Sequence, residues 1–255
     1  MNLINKLKNI YLGKDIWVLG TGPSMNYIEQ SFFNNKITIG INRICKFFNC
    51  DYIVAKDPNG FSEIIKYKSE KTKIILSEYS TGIKDSRINK IEGDHFIFPH
   101  RQNNEKIDLS VIRKDSNEIV VSQSTITSAI HIAAYMGAAN IIICGHDCGT
   151  INGHSNIEGY YKGINPAQKT NYGYVNWLSE IEKNTISVKD AIKKEFSCNI
   201  YSLNPFLNLN ATGYEYLSAD EIFHKDISRK LLYSSIRLFN KLKKYLRVIF
   251  HLGKF

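Results

Sequence analysis

The feature that most constrains the fold is the alternation of short, β-branched apolar runs with longer stretches of helical pattern. Residues 124–136 form an apolar helical stretch that leads into the fifth run, and residues 177–196 form an amphipathic one that leads into the last. Strands that alternate with helices predict an α/β fold with a parallel sheet. The runs that we expect to be buried strands are residues 15–19, 38–41, 52–54, 73–76, 140–144 and 199–202.

Composition favours one cytoplasmic domain. With 255 residues and 43% hydrophobic composition, the chain can bury a full core without disulfides or metals. Its five cysteines show no zinc-binding spacing, which predicts free thiols in a reducing compartment. No apolar run approaches the roughly 18–20 residues of a membrane span, and residues 1–10 lack the apolar segment of a signal peptide. We expect a catalytic domain over residues 1–224.

The positive charge of the chain lies in its tail. The net charge is +9, and residues 229–255 hold eight basic and no acidic residues, which leaves +1 for the rest. A body without a basic surplus argues against nucleic acid as a partner. The pattern of residues 225–255 predicts a basic amphipathic helix that docks on the anionic inner face of the plasma membrane. The alternative is a C-terminal helix that packs on the rest of the protein. Its apolar face comprises Leu232, Ile236, Phe239, Leu242, Leu246 and Ile249.

A glycine-rich loop follows the first strand directly and precedes a stretch of helical pattern, residues 25–33. In such a turn, glycines let the backbone approach an anion, and exposed N–H groups at the helix start favour phosphate. The pattern therefore predicts a nucleotide loop, and an ordinary tight turn between strand and helix explains it equally well. This glycine loop consists of Gly20, Thr21, Gly22, Pro23 and Ser24.

Absent motifs narrow the ligand. Met25 stands where a dinucleotide fingerprint has its third glycine, and Asn42 follows the second strand where that site has a carboxylate. NAD is therefore disfavoured, and the lack of a G-x-x-x-x-G-K-[ST] element argues against a P-loop ATPase. The chain has no Asp-x-Asp pair to chelate a divalent ion with a diphosphate. We expect a reaction that requires neither metal nor cofactor.

Polar residues follow four of the expected strands. In open α/β sheets, ligands bind outside the carboxyl ends of the strands, so these residues should share one edge. Each cluster alone is explained by a cap or a turn, but four together predict a ligand site. Besides the glycine loop, the clusters are Asn42 with Arg43, then Asp57, Pro58 and Asn59, and then Gly145, His146 and Asp147.

Hydroxyl groups and a long loop complete the expected site. Ser124, Thr127 and Ser128 lie at the start of the apolar helix, where such hydroxyls bind phosphate or sugar or merely cap the helix. Residues 145–175 have little periodicity, and a loop of this length is typical of a lid. Within it, we expect His146, His154, Tyr160 and Tyr161 to supply acid–base and phosphate-contacting groups.

The motifs GTGPSM, TIGINR, YIVAKDPN, STITSAIHIAAYMGAANIIICGHD and KNTISVKDAIKKEFSCNIYSLNP together resemble bacterial sialyltransferases of the Campylobacter type. They are also similar to motility-accessory-factor and pterin-pyrophosphokinase-like domains, which share the G-x-G-P-S loop. The resemblance implies a Rossmann-like GT-A variant that binds a CMP-activated nonulosonic sugar and inverts its anomeric configuration without a metal. By motif, the glycine loop would hold the nucleotide and its phosphate. Asn42, Asp57 and Asn59 would meet the nucleotide or phosphate, and Thr127 and Ser128 would face the sugar.

Two departures from this pattern leave roles open. The sialyltransferases have a histidine just before the segment that matches Lys183, and this chain has none there. They also have an arginine ahead of the Thr-Ser pair, near Thr125, which is absent. The candidates for the general base are His154, His146, Glu180 and Glu182.

We expect the acceptor to be a cell-surface glycan or glycolipid, as in lipopolysaccharide or capsule biosynthesis. The alternatives are a Mg²⁺-dependent diphosphotransferase and a non-catalytic nucleotide-sugar-binding protein. The sequence leaves a homo-oligomer open.

Overall fold

A computed structural model describes residues 2–56, 60–78, 95–100, 107–149, 154–161 and 171–203, with the backbone alone for residues 171–176. Its strands form one sheet in the order β1-β6-β5-β4-β3-β2-β7-β8, and every neighbouring pair is parallel. The expected α/β fold with a parallel sheet is therefore confirmed. The strands are β1 (Asn2–Leu3), β2 (Asp15–Leu19), β3 (Ile37–Ile41), β4 (Tyr52–Ala55), β5 (Lys73–Ser77), β6 (His95–Phe98), β7 (Asn140–Cys144) and β8 (Asn199–Ser202).

Within the described ranges, three α-helices and several 3₁₀ helices connect these strands. The α-helices are α1 (Phe61–Tyr67), α2 (Thr125–Tyr135) and α3 (Asn171–Phe196). The 3₁₀ helices are Ile4–Leu7, Pro23–Tyr27, Gln30–Phe33, Asn42–Lys46 and Leu109–Val111.

Both faces of the sheet are buried, because side chains alternate between the faces along each strand. Ile16 and Val18 of β2 point to the face that is covered by α2 and α3. Trp17 and Leu19 point to the opposite face, which α1 and the 3₁₀ helices cover. On that face, Trp17 and Phe32 make an edge-to-face contact with ring centroids 5.1 Å apart. Because both faces of the sheet are covered, a ligand can reach the sheet only at the ends of its strands.

Two expectations about the elements are wrong, and two strands were not predicted. Residues 25–33 form two 3₁₀ helices, because Ile28 and Glu29 have extended backbone conformations that separate them. The last helix begins at Asn171, six residues before the expected start, within the end of the expected lid. The sheet also contains β1 and β6, which the sequence did not predict since two and four residues give little periodicity.

The structure describes all the cysteines, but it does not describe the basic tail. All five cysteines are free. In the part of the chain that is described, no helix has the length and apolar character needed to span a bilayer. The expected basic helix over residues 225–255 and the boundary near residue 224 lie outside the described residues.

Candidate functional site at the carboxyl edge of the sheet

The connections of the sheet reverse direction beside β2. From β2 the chain proceeds through β3, β4, β5 and β6 on one side, and then returns to β7 on the other side of β2. This reversal is a topological switch point, and open α/β sheets bind ligands at such a point, in a crevice outside the carboxyl ends of the strands. The glycine loop leaves β2 and residues 145–148 leave β7, so both clusters expected from the sequence border this crevice.

The two loops are joined by Ser24 and Asp147. The backbone N–H and the hydroxyl of Ser24 each donate a hydrogen bond to the Asp147 carboxylate, both at 2.7 Å. Asp147 is only 3% exposed. A Cβ on Gly22 would lie 2.5 Å from Asp147 Oδ2 and 2.6 Å from the Gly145 carbonyl oxygen. The absence of a side chain at Gly22 thus makes room for the neighbouring loop.

Most N–H groups of the glycine loop are bonded within the protein. Gly20 donates to the Cys144 carbonyl and Gly22 to the Gly145 carbonyl, both at 2.7 Å, and Ser24 donates to Asp147. Pro23 has no N–H. Among the described residues, Thr21 therefore has the one N–H of this loop without a protein acceptor. The expected row of exposed amides is reduced to one, although contact of these residues with a nucleotide stays a prediction.

Asn42 follows β3 directly and contacts the start of α2. Its backbone is in the left-handed region with φ of 50°, and its side-chain oxygen accepts a hydrogen bond from the Thr125 hydroxyl at 3.4 Å. Asparagine tolerates this conformation better than most residues. This hydrogen bond connects Asn42, at the carboxyl end of β3, to the start of α2.

The hydroxyls at the start of α2 have structural partners. Ser124 caps the helix by accepting from the Ile126 N–H. Thr127 and Ser128 are fully buried, and their hydroxyls donate to the carbonyls of Ser124 and Val120 at 2.8 and 2.7 Å. Of the three expected sugar or phosphate ligands in this stretch, Ser124 is the one that is partly exposed.

Residues 154–161, which we call the tyrosine segment, pack on the glycine loop. The Ile157 N–H donates to the Thr21 carbonyl at 2.8 Å, and the Glu158 N–H donates to the Asn26 side chain at 2.9 Å. Lys46 donates to the Gly159 carbonyl at 2.9 Å. This described part of the expected lid is fixed to the crevice at several points, so it forms a wall of the site.

The two tyrosines of this segment surround Arg43. The guanidinium carbon of Arg43 lies 4.4 Å from the ring centroid of Tyr160 and 5.2 Å from that of Tyr161. Its Nη1 donates to Glu63 of α1 at 2.7 Å. Burial lowers the pKa of Arg43, but interactions with Glu63 and Tyr160 more than offset this and keep it above its ordinary value. Burial raises the pKa of Tyr160, and Arg43 and Thr21 oppose that rise.

The four candidate bases differ sharply in their surroundings. His146 is buried, its Nε2 lies 2.8 Å from the Thr185 hydroxyl, and burial lowers its pKa to about 4. Glu180 is exposed and pairs with Lys183 at 2.9 Å. His154 is exposed, and Glu182 is half-buried. Burial raises the pKa of Cys148, and the carboxylates of Glu182 and Asp147 raise it further.

A further polar cluster follows β4, β5 and β6. Ser77 Oγ and His100 Nδ1 are 2.7 Å apart, and Lys56 donates to the Ser122 carbonyl before α2. Burial and then the charge of Lys56 lower the pKa of His100. Sequence reasoning missed this cluster because β6 was not predicted. Arg43 was recognised as a strand-end residue, but nothing in the sequence indicated its contacts with two tyrosines more than a hundred residues away.

Some expected ligands cannot be placed. Asp57, Pro58 and Asn59 lie outside the described residues. Within the described ranges, no group of three His, Cys, Asp or Glu side chains is arranged to hold a metal ion.

The parallel sheet and its crevice define a Rossmann-like α/β domain with the fold of the GT-A-like sialyltransferases. The family model described as "6-hydroxymethylpterin diphosphokinase MptE-like" matches residues 1–153, and the chain belongs to this MptE-like family. The resemblance to both groups noted in the sequence is therefore confirmed.

Solved structures of Campylobacter jejuni sialyltransferase CstII share the fold. The complex with the substrate analogue CMP-3FNeuAc aligns with a TM-score of 0.51 and 14% identity over 86% of this chain and 90% of that one. The complex with cytidine-5'-monophosphate aligns with a TM-score of 0.50 and 16% identity over 81% and 86% of the two chains. No curated protein sequence matches this chain.

Proposed function

We propose that this protein is a glycosyltransferase that moves a nonulosonic, sialic-acid-like sugar from a CMP-activated donor to a cell-surface glycan or glycolipid. The observation that carries the proposal is the cluster at the carboxyl edge of the sheet in which the glycine loop after β2, Arg43 after β3 and the tyrosine segment meet. Open α/β sheets bind ligands at this edge. The solved CstII complexes, which share this fold, hold CMP or a CMP-sugar analogue.

The proposed reaction is a single displacement with inversion at the anomeric carbon. The bond from this carbon to the donor phosphate breaks as the bond to the acceptor oxygen forms, and CMP leaves with the bonding electrons. Donors from Tyr160, Tyr161 and the Thr21 N–H stabilise the negative charge that develops on the phosphate. A base takes the proton of the acceptor hydroxyl. His154 and Glu182 suit this role better than His146, whose low pKa and buried ring make it a poor base.

We propose that no divalent ion takes part. The chain has no Asp-x-Asp pair, and the described crevice instead offers arginine and tyrosine groups that can meet a leaving phosphate. A transferase of this kind should keep its activity in EDTA.

The test combines ligand binding with product detection. Melting temperature is measured with CMP, CDP, UDP, GDP and ATP, each with and without Mg²⁺, because a ligand of the native state raises stability by mass action. We expect CMP and CDP to stabilise the protein without Mg²⁺. CMP-sialic acid should then be converted to CMP, with the sugar released to water or transferred to a glycan. Stabilisation by ATP alone, and only with Mg²⁺, would contradict the glycosyltransferase.

A second candidate is a Mg²⁺-dependent diphosphotransferase, and the description of the family model favours it. Such an enzyme would move a pyrophosphoryl group from ATP to the hydroxyl of a pterin-like acceptor and release AMP. The same panel separates the two functions, since AMP release from ATP requires Mg²⁺ and the donor conversion that we expect does not. A protein that binds a nucleotide sugar without converting it would show stabilisation and no product.

We further propose that the basic tail holds the enzyme at the inner face of the plasma membrane. Residues 229–255 carry eight cations and no acidic residue, which suits an anionic leaflet. A glycolipid acceptor would then share a surface with the enzyme.

A further inference from the structure

The glycine loop by itself is a poor site for a phosphate. Three of its N–H groups have protein acceptors, and the Asp147 carboxylate already lies against Ser24 at the position where an anion would meet the loop. A second negative charge close to a buried carboxylate is repelled strongly, because the interior screens charge less than water does. A nucleotide phosphate in this crevice therefore needs donors from elsewhere.

Arg43 and Tyr160 lie beside the one amide of the loop that is still available. The guanidinium carbon of Arg43 lies 4.4 Å from the ring centroid of Tyr160, and the side chains of Arg43 and Thr21 both oppose the rise that burial causes in the pKa of Tyr160. The Ile157 N–H holds the tyrosine segment against the Thr21 carbonyl, which fixes the spacing. Arg43 and Tyr160 therefore lie close to Thr21, whose N–H has no acceptor among the described residues.

Arg43 has capacity left for a ligand. Its side chain is 23% exposed and that of Glu63 is 38% exposed, so their ion pair lies near the surface, where such pairs contribute little and exchange readily. Arginine has five N–H donors, and the hydrogen bond to Glu63 uses one of them. The planar guanidinium binds phosphate oxygens in pairs, which a lysine does not.

We propose that Arg43, the Tyr160 hydroxyl and the Thr21 N–H form the phosphate subsite of this protein. In the free protein the Glu63 carboxylate binds the guanidinium of Arg43, and a bound phosphate shares this guanidinium with Glu63 or displaces the carboxylate. This inference rests on the proposed nucleotide-dependent function and names the residues that bind the phosphate. It also gives Glu63 a defined effect on affinity, since Glu63 competes with the ligand for the same guanidinium.

The experiment measures dissociation constants by calorimetry for CMP, cytidine, ATP and inorganic pyrophosphate with the purified full chain. Arg43→Met should weaken CMP binding about 10- to 100-fold, as expected for loss of a charge-assisted hydrogen bond, and leave cytidine affinity unchanged. Arg43→Lys should recover part of the loss. Glu63→Gln should tighten CMP binding several-fold, again without an effect on cytidine. The control is Lys66→Met, which removes an exposed cation from α1 one turn beyond Glu63 and should change CMP affinity less than twofold.

The outcomes separate this subsite from the proposed donor. If the wild type binds ATP or pyrophosphate but not CMP, and the Arg43 and Glu63 variants change that affinity in opposite directions, the subsite stands and the CMP donor is wrong. Equal losses of CMP and cytidine in Arg43→Met would show that Arg43 only supports the tyrosine segment, which overturns the subsite. If Arg43→Met does not fold, unchanged or weaker CMP binding in Glu63→Gln overturns it. A wild type that binds none of the phosphate-bearing probes overturns it too.

Discussion

The carboxylate of Asp147 accepts two hydrogen bonds from Ser24, one from its backbone N–H and one from its hydroxyl, each 2.7 Å long. The residues are 123 positions apart, and they close the loops of β2 and β7 over the crevice. The charged acceptor is buried, so both bonds are of the strong, charge-assisted kind. The shape of the proposed nucleotide site therefore depends on this contact.

We expect Asp147→Ala to lower the free energy of unfolding by about 3 kcal/mol, because it leaves two buried donors of Ser24 without an acceptor. Asp147→Asn should cost less, since its amide oxygen can still accept one of the two bonds. Urea denaturation measures both. A double-mutant cycle with Ser24→Ala should give a clear coupling energy. Strictly additive losses would show that the two side chains do not depend on each other.

We expect Gly22→Ala to destabilise the protein whether or not a ligand is present. The new Cβ would lie 2.5 Å from Asp147 Oδ2 and 2.6 Å from a backbone oxygen, so the loop after β7 must shift. The cost should be about 2–3 kcal/mol, in the range of overpacking. Gly13→Ala is the matched control. Gly13 has φ of 74° but nothing within 4 Å of its Cβ position, so only backbone strain of about 1 kcal/mol is expected. Similar losses at both glycines would contradict the contact with Asp147.

We expect the protein to lose stability in mild acid. Burial lowers the pKa of His146 to about 4 and that of His131 to about 3, while an unfolded chain protonates histidine near 6.5. Below pH 6.5 the unfolded state therefore binds protons that the native state does not, so stability falls as pH decreases towards 4. Each histidine contributes a slope of about 1.4 kcal/mol per pH unit.

Conservative variants isolate this effect. His146→Gln keeps a polar group near Thr185, and His131→Asn keeps an acceptor for the Val120 N–H, which donates to His131 Nδ1 at 3.1 Å. Both should flatten the dependence of unfolding free energy on pH between 6.5 and 4. An unchanged slope in both variants would mean that these imidazoles are protonated in the native state.

We expect the full chain to float with vesicles that contain acidic lipid, and a chain that ends near His224 to remain in solution. The physical reason is the charge of the tail, since each cation near an anionic leaflet contributes about 1 kcal/mol. Neutral vesicles are the control, and high salt should release the bound protein. Equal flotation of both chains, or binding by neither, would show that the tail has a structural role.

The sequence alone determined where the central strands lie along the chain and that they run parallel. Residues 16–19 and 141–144 are apolar throughout, because a parallel sheet covered on both faces buries the side chains of its central strands, and this pattern is local. The same runs placed the glycine loop and Asp147 at one edge, because the carboxyl ends of parallel strands coincide. The predictions were wrong or missing where the local pattern is weakest. The extended break at Ile28 and Glu29 and the four-residue strand β6 were both missed.

Only the tertiary structure decided what the edge residues contact. Glycines at positions 20 and 22 fit a phosphate loop and a tight packing contact equally well, and the position of the β7 loop favours the contact. Likewise, Arg43 is one cation among many in the sequence, and it gains a special environment only because the fold brings Glu63, Tyr160 and Tyr161 around it. Strand periodicity is set by neighbours in sequence. The partners of a side chain at a strand end are set by loops from distant parts of the chain, and no local pattern encodes them.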